Sequence, residues 1–551
     1  MYRDVLMNRI DALLAVVFVA VIATLAVMGQ NPPDVPEAPP LDQFSAKRAM
    51  KHVERIAREP HVTGSPAAAK VREYLMAELK NLGVEPRILK SPEMPGESVF
   101  ARIPGKGKGK AVMLSAHYDS APEGPGAGDD AAAVGAILET VRALKWNDGP
   151  QLENDVLVLI TDAEEVGFCG AYTFASDPAK RDLVGLVMNF EARGSRGPSF
   201  LFETSEGNGW MIREFARAAP HPMATSLAGA VYAIMPNKTD FTMFKGVGLK
   251  GLNFAFVEGV ENYHQPTDTV ANLDERSVQH HGSYALALAR HFGNKNLALA
   301  ASEPNAIYFN VIGPWLLVYP GWWVSPLMVA ALAAFVGVVE IGRRRGRVTD
   351  NGLMIGIALG LLAVVLAAGG AWSAWTQIQR FRVPVGRKLY QGSPEIAAAL
   401  ACLGIMATLC VYLPAFTRVR LTDLALGGLF WWLVGTVATS MFLPGASYLF
   451  LWPLVFGLIA MAVVVISPRP GSPAVRVASY LGAIPALFLI PPTLKAFCIA
   501  LGPTLPYGAA PLAALMILAL LPMLAKITAA FGVAERVADP TKAAVPTLEA
   551  I

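Results

Sequence analysis

The chain has 551 residues, 54% of them hydrophobic and 16% charged, with a mean hydropathy of +0.42 and a formal net charge of +3. That is too apolar for a soluble protein of this length, and a small charge without a basic face argues against nucleic acid as a partner. Of the four cysteines, Cys402, Cys410 and Cys498 fall in apolar segments and Cys169 stands alone, so neither a disulfide framework nor a thiolate metal site is implied.

Residues 13–29 (LLAVVFVAVIATLAVMG) form an uncharged stretch behind a weakly charged leader. With no clear small-x-small cleavage site, the stretch reads as an uncleaved anchor rather than a signal peptide. NPPDVPEAPP (31–40) is a stiff Pro-rich stalk. The next segment, 41–304, is normally charged and long enough for one sizeable core. Helical periodicity at 42–58 and 66–82 is followed by the strand-like runs KAVMLSAH (110–117), DVLVLITD (155–162), LVGLVMNFE (183–191) and LNFAFVE (252–258). AAAVGAILETVRALK (131–145), between the first two runs, repeats its apolar residues with a helical period. Such alternation predicts an α/β domain, a mixed but largely parallel sheet sandwiched between helices.

From 305 to 535 the pattern predicts an all-α membrane domain of about seven helices, each about 20 residues long. The spans fall near 322–341, 352–373, 394–415, 422–442, 448–466, 476–498 and 509–531, with a tail at 536–551. If the globular domain lies outside, the basic links at 343–347, 418–420 and 467–476 all lie inside, as the positive-inside rule requires. The link carrying Arg380, Arg382, Arg387 and Lys388 runs against that rule. Asp423, Lys495 and Lys526 fall near expected span ends, where they can reach the interface.

The strand ends carry the chemistry: His117 and Asp119, then Asp129-Asp130, Glu164-Glu165, Glu191, and finally Tyr263-His264. Each alone reads as a turn, cap or solvated loop, but together they occupy the edge where open α/β sheets place their sites. Two histidines with several carboxylates suit zinc or a similar divalent ion. Metal ions also explain why a buried strand should end on adjacent carboxylates, since unpaired buried charge costs several kcal/mol. Two dications against Asp129, Glu165 and Glu191 leave one positive charge, which a bridging hydroxide would cancel.

The stretches EPHVTGSPAAAKVREYL (59–75), LSAHYDS (114–120), GAGDDAAAVG (126–135), TDAEEVGFCGA (161–171), MNFEARGSRGP (188–198), TDFTMFK (239–245) and NYHQPTDT (262–269) resemble zinc aminopeptidase family 28. The likeness is to its membrane-embedded branch, which includes the endoplasmic-reticulum metallopeptidase and the fungal vacuolar membrane protease, and AIYFNVIG (306–313) shares it. The resemblance implies a zinc-peptidase-like fold binding two Zn2+ ions. One ion would be held by His117 and Glu191, the other by Glu165 and His264, with Asp129 bridging both. It further implies Asp119 as the carboxylate orienting His117, Glu164 as general base toward a metal-bridging water, and a cis peptide between Asp129 and Asp130. Ala131-Ala132-Ala133 replace a common Gly-Ser-Gly, and Glu191 stands where many secreted members have Asp. Arg193 is read as balancing charge, with a substrate-carboxylate role as the alternative; no substrate-binding residue is otherwise assigned.

The expected activity is removal of N-terminal residues from peptides outside the cytoplasm, with a bacterial inner membrane and a periplasmic domain as the setting. The alternatives are an inactive peptidase-like scaffold, glutaminyl cyclisation, or carboxypeptidase action at the same metals. The expected partners are peptide substrates, the lipid bilayer and, through a membrane half that serves as anchor and dimerisation platform, a second copy of the chain.

Overall fold

The computed structural model describes residues 2–148, 151–380, 394–469, 472–501 and 505–530. The chain forms two compact units, Gly29–Trp322 and a second comprising Met1–Met28 with Trp323–Ile551. The expected link at Arg382, Arg387 and Lys388, the Lys526 side chain and the tail 536–551 lie outside the described residues.

In the first unit a seven-stranded sheet runs in the order β1-β2-β4-β3-β5-β7-β6. The strands are β1 Arg87–Leu89, β2 Ser98–Ile103, β3 Ala111–His117, β4 Val156–Thr161, β5 Val184–Ala192, β6 Phe200–Thr204 and β7 Gly251–Phe256. The inner four, β4-β3-β5-β7, are parallel, whereas β1 and β2 add antiparallel strands at one edge and β6 one at the other. The four inner strands are the four strand-like runs of the sequence, and their residues are almost all buried. Burial on both faces is why they read as continuous apolar runs rather than alternating ones.

Alternation still sorts the two faces. Val112, Leu114, Val156, Val158 and Ile160 join a core with helices Ala46–Ile56, Pro66–Asn81, Ala132–Lys145 and Glu275–Phe292. Met113, Leu157 and Leu159 face Phe174, Phe241 and Phe244 of helices Cys169–Ser176 and Asp240–Gly246. Burying each such side chain is worth roughly 1.5–3 kcal/mol. Ser45 and Ser65 start the first two helices by accepting hydrogen bonds from the Arg48 and Ala68 amides. The expected α/β sandwich is therefore present.

Residues 306–320, which the sequence places in the membrane region, instead form a hairpin of this unit, β8 Ala306–Asn310 and β9 Leu316–Pro320. Phe309 bridges to Thr225, and Ala306 and Tyr308 enter the core, which accounts for their apolar character.

Among the described residues of the second unit, eight helices are long and apolar enough to cross a membrane, beginning with Ile10–Met28 and ending with Pro506–Leu524. The basic links meet: Arg420 donates to the Gly346 carbonyl at 2.7 Å and Arg345 to that of Ile466 at 2.6 Å. Arg476 lies 3.6 Å from Asp11, near the start of the first span. Asp423 is near a span end as expected but is buried rather than reaching toward water. It accepts hydrogen bonds from the Thr349 amide at 3.0 Å and hydroxyl at 2.8 Å, just ahead of helix Asp350–Arg380.

Candidate metal centre

The parallel strands all deliver their carboxyl ends to one edge, and each inner strand contributes. His117 is the last residue of β3, Glu164 and Glu165 follow β4, Glu191 lies near the end of β5, and His264 follows β7 in the loop after Asn262. Asp129 and Asp130 arrive on the turn Ala127–Ala131 that opens helix Ala132–Lys145, and their peptide bond is cis.

Asp129 sits at the centre. Its Oδ1 is 3.1 Å from His117 Nε2 and its Oδ2 3.1 Å from His264 Nε2, so each oxygen of one carboxylate meets a different histidine. Each histidine has a further acid: Glu191 Oε2 is 3.7 Å from His117 Nε2, and Glu165 Oε1 is 2.9 Å from His264 Nε2. The ligand-capable atoms of His117, Asp129 and Glu165, and separately those of His117, Asp130 and Glu191, lie within 4.8 Å of one another. Those two groupings assign the acids differently from the expected sets and bring in Asp130. The split orientation of the Asp129 oxygens favours division about that residue.

The supporting contacts differ in part from those expected. The nearer acceptor for His117 Nδ1 is the Asp119 backbone carbonyl at 2.9 Å, with the carboxylate at 3.5 Å. The Asp119 carboxylate instead receives the backbone amides of Glu164 at 3.1 Å and Glu165 at 3.2 Å, and the Thr63 hydroxyl at 3.2 Å. It thus ties the acidic doublet to the end of β3. Asp268 plays a matching part for the central loop, receiving the amides of Gly128 at 2.7 Å and Asp129 at 3.1 Å. Asp130 Oδ2 accepts the His117 amide at 3.2 Å, Asn189 donates to Glu191 at 3.3 Å, and Asp240 binds the Thr161 hydroxyl. The Tyr263 ring stacks on His264, centroids 3.9 Å apart. Ala163 and His264 hold positive φ angles of 64° and 53°, conformations that non-glycine residues keep only where their surroundings impose them.

Asp268, Asp240 and Asn189 join the centre without any local signal that marks them, and Asp130 does so beyond its place in the Asp129-Asp130 pair; all four lie inside the motifs quoted above, but nothing local says which oxygen meets which amide. Arg193, half-buried just past β5, lies next to the centre in sequence.

Electrostatics test whether cations fit. Burial pushes Glu164, Glu191 and Asp130 well above the usual carboxylate range, with neighbouring acids adding to it. Against its own burial, His264 is raised to about 10 by hydrogen bonds to Asp129 and Glu165, and His117 is likewise raised by Asp119 and Asp129. Asp129, despite burial, is held down to about 2 by the two histidines. Acids that resist ionising beside histidines that resist neutralising mark a pocket short of positive charge. Buried Asp130 Oδ1 and Asp240 Oδ1 have no hydrogen-bond partner among the described residues. Imidazole nitrogens and carboxylate oxygens are the donor set of zinc. These residues fit divalent metal ions.

A mixed α/β sheet with four parallel inner strands and a two-histidine, acid-rich centre at their carboxyl ends defines a zinc-peptidase-like domain, here in a chain with apolar helices long enough to cross a membrane. Residues 98–289 match the model of peptidase family M28, and the chain carries a domain of that family. Human "Endoplasmic reticulum metallopeptidase 1" is 27% identical over 329 residues, covering 54% of this chain and 36% of that protein. The "Vacuolar membrane protease" of Candida dubliniensis is 27% identical over 293 residues, covering 50% of this chain and 31% of its own. The match thus spans about a third of each relative's length. Among solved structures, the Legionella pneumophila LapA aminopeptidase aligns at 15% identity with a TM-score of 0.40, over 46% of this chain and 73% of its own.

Proposed function

We propose that this chain is a membrane-anchored dizinc aminopeptidase that hydrolyses N-terminal residues from peptides outside the cytoplasm. The observation that carries the reading is Asp129, whose two oxygens each stand 3.1 Å from a different histidine. In this reading His117, Asp129 and Glu191 hold one zinc ion and Asp129, Glu165 and His264 the other. When bound, the two ions supply Lewis acidity toward the scissile carbonyl and acidify the attacking water.

The chain's own residues do the rest. Glu164 takes the proton of the water as its oxygen bonds to the carbonyl carbon, and passes that proton to the amine nitrogen as the C–N bond breaks. Asp119 holds the Glu164 and Glu165 amides, so that proton carrier and ligand keep a fixed spacing. A free amino terminus suits this centre, because Asp130 and Asp240 bring buried carboxyls beyond the three proposed ligand acids and Glu164, each with an oxygen that has no hydrogen-bond partner among the described residues, and such acids favour a substrate ammonium nearby.

The meeting of the basic links near the start of the first span supports a cytoplasmic end there. The M28 domain, which follows the other end of that span, then lies in the periplasm of a bacterial inner membrane. The membrane unit serves as anchor and as the surface on which two copies pair, which mass photometry in nanodiscs tests by showing two chains per disc or one.

The test is a mass-spectrometric product profile of purified protein on a mixed peptide library, run beside Glu164→Gln. Stepwise loss of N-terminal residues is expected from wild type, with kcat lowered about 10²–10⁴-fold in the variant and zinc content unchanged. Equal cleavage by both proteins, or none by a wild type carrying two zinc ions per chain, would sink the proposal.

A further inference from the structure

The hairpin β8–β9 carries apolar side chains that its own fold does not use. Its inner residues, Ala306 to Phe309, are buried, yet at the tip Trp315 is 74% exposed and Ile312 48% exposed. The tip is nonetheless well defined. Val311 donates to the Trp315 carbonyl at 2.9 Å, and the Trp315 amide to that of Ile312 at 3.1 Å. Asn310 donates to Gly313 at 3.0 Å and to Pro222 at 2.8 Å, and accepts the Ala224 amide at 2.9 Å. A rigid loop that holds a tryptophan and an isoleucine outward has the form of an anchor rather than of a mobile connection.

Two observations within this unit say what the anchor meets. First, Gly313 lies against Gly29: a Cβ built on Gly313 would stand 3.5 Å from the Gly29 carbonyl oxygen. Gly29 directly follows Met28, the last residue of the span Ile10–Met28, whose 19 residues at a rise of 1.5 Å cover about 28 Å, close to the thickness of the hydrocarbon core. The tip therefore meets Gly29, the first residue of this unit and the one that directly follows that candidate span. Second, β9 leads through Pro320 straight into the span Gly321–Arg344, with Trp322 66% exposed at its start. Trp315 is six residues before Gly321, at most about 20 Å of extended chain.

We infer that the hairpin tip, with Ile312 and Trp315, inserts into the headgroup layer of the bilayer and forms, with Trp322, an interfacial anchor of the Gly29–Trp322 unit. Tryptophan favours this layer because its ring is apolar and its N–H needs a polar partner. The partner is the phospholipid interface itself, and the tip carries no charge that would select one headgroup. The inference rests on the membrane-spanning helices and is independent of the peptidase activity proposed above.

The test uses the full chain in phospholipid nanodiscs, with the exposed Cys402 and Cys410 replaced by alanine. Ile312→Cys and Trp315→Cys are each labelled with an environment-sensitive fluorophore, and Ile88→Cys, on β1 at the opposite edge of the sheet from β6, serves as reference. Both tip labels should be quenched by lipid spin-labelled high on its acyl chain and shielded severalfold from aqueous iodide relative to the reference. To exclude a fluorophore drawn into lipid, the unlabelled cysteines are also reacted with a charged, membrane-impermeant thiol reagent. The tip cysteines should react severalfold more slowly in nanodiscs than Ile88→Cys. Tip labels open to iodide and untouched by spin-labelled lipid, or tip cysteines as reactive as the reference, would overturn the inference.

Discussion

Replacing Asp268 by asparagine should weaken zinc binding without touching any proposed ligand. Its carboxylate receives the amides of Gly128 at 2.7 Å and Asp129 at 3.1 Å, the second being the proposed bridging residue and the first its neighbour. There is little room for another arrangement, because a Cβ on Gly128 would stand 2.4 Å from the Gly194 carbonyl oxygen and 2.9 Å from Asp268 Oδ1. Asparagine keeps the shape but offers one oxygen, so one of the two amides meets an NH2 group instead of an acceptor. The loss of one hydrogen bond to a charged group is worth about 1.5–3 kcal/mol. At 1.4 kcal/mol per factor of ten, zinc should bind about 10- to 100-fold more weakly, in line with the usual effect of losing a partner behind a metal ligand. Removing a negative charge near the cations acts in the same direction. The assay is zinc competition against a calibrated chelator at fixed pH, with bound metal counted by plasma mass spectrometry. An affinity within threefold of wild type, at full zinc content, would refute the view that this clamp positions Asp129.

Further outcomes are expected away from the metals. His280 and His281 are buried in helix Glu275–Phe292, and burial pushes each down to about 3. As pH falls below the ordinary value of 6.5, the unfolded chain takes up protons that the folded one refuses. Stability present at pH 7 is then lost, at no more than about 1.4 kcal/mol per pH unit for each group. From pH 7 to pH 5 the thermal midpoint of wild type should lose ground relative to that of His281→Phe, because the raised carboxyls of the metal centre titrate alike in both proteins and only the buried ring differs; identical slopes would count against the buried neutral ring. Gly282→Ala would drive a methyl to within 1.9 Å of the Phe44 ring. Overpacking of this kind costs about 1–3 kcal/mol, so its thermal midpoint should drop by several degrees and recover in the Phe44→Leu background. No drop would mean that Phe44 does not pack on this helix.

The inner strands were legible because parallel strands, covered on both faces, write their burial as continuous apolar runs such as VLVLIT. The metal-binding residue types stood where those runs end, so candidate donors could be named before any contact was known. The edge strands β1, β2 and β6 escaped notice, being short or only partly buried, with their place set by antiparallel pairing to distant residues. Composition likewise could not separate the β8–β9 hairpin from the membrane helix it precedes, because apolar residues packed into a globular core and apolar residues facing lipid look alike over a dozen positions. Tertiary structure alone decided that Asp129 turns one oxygen to each histidine, that Asp119 orients His117 mainly through its carbonyl while its carboxylate ties down Glu164 and Glu165, and that Asp268 holds the loop from 139 residues away. The reason is range. Periodicity and residue chemistry are local and survive in the one-dimensional chain, whereas the direction of a carboxylate oxygen depends on amides supplied by other strands, and exists only after the sheet has brought their ends together.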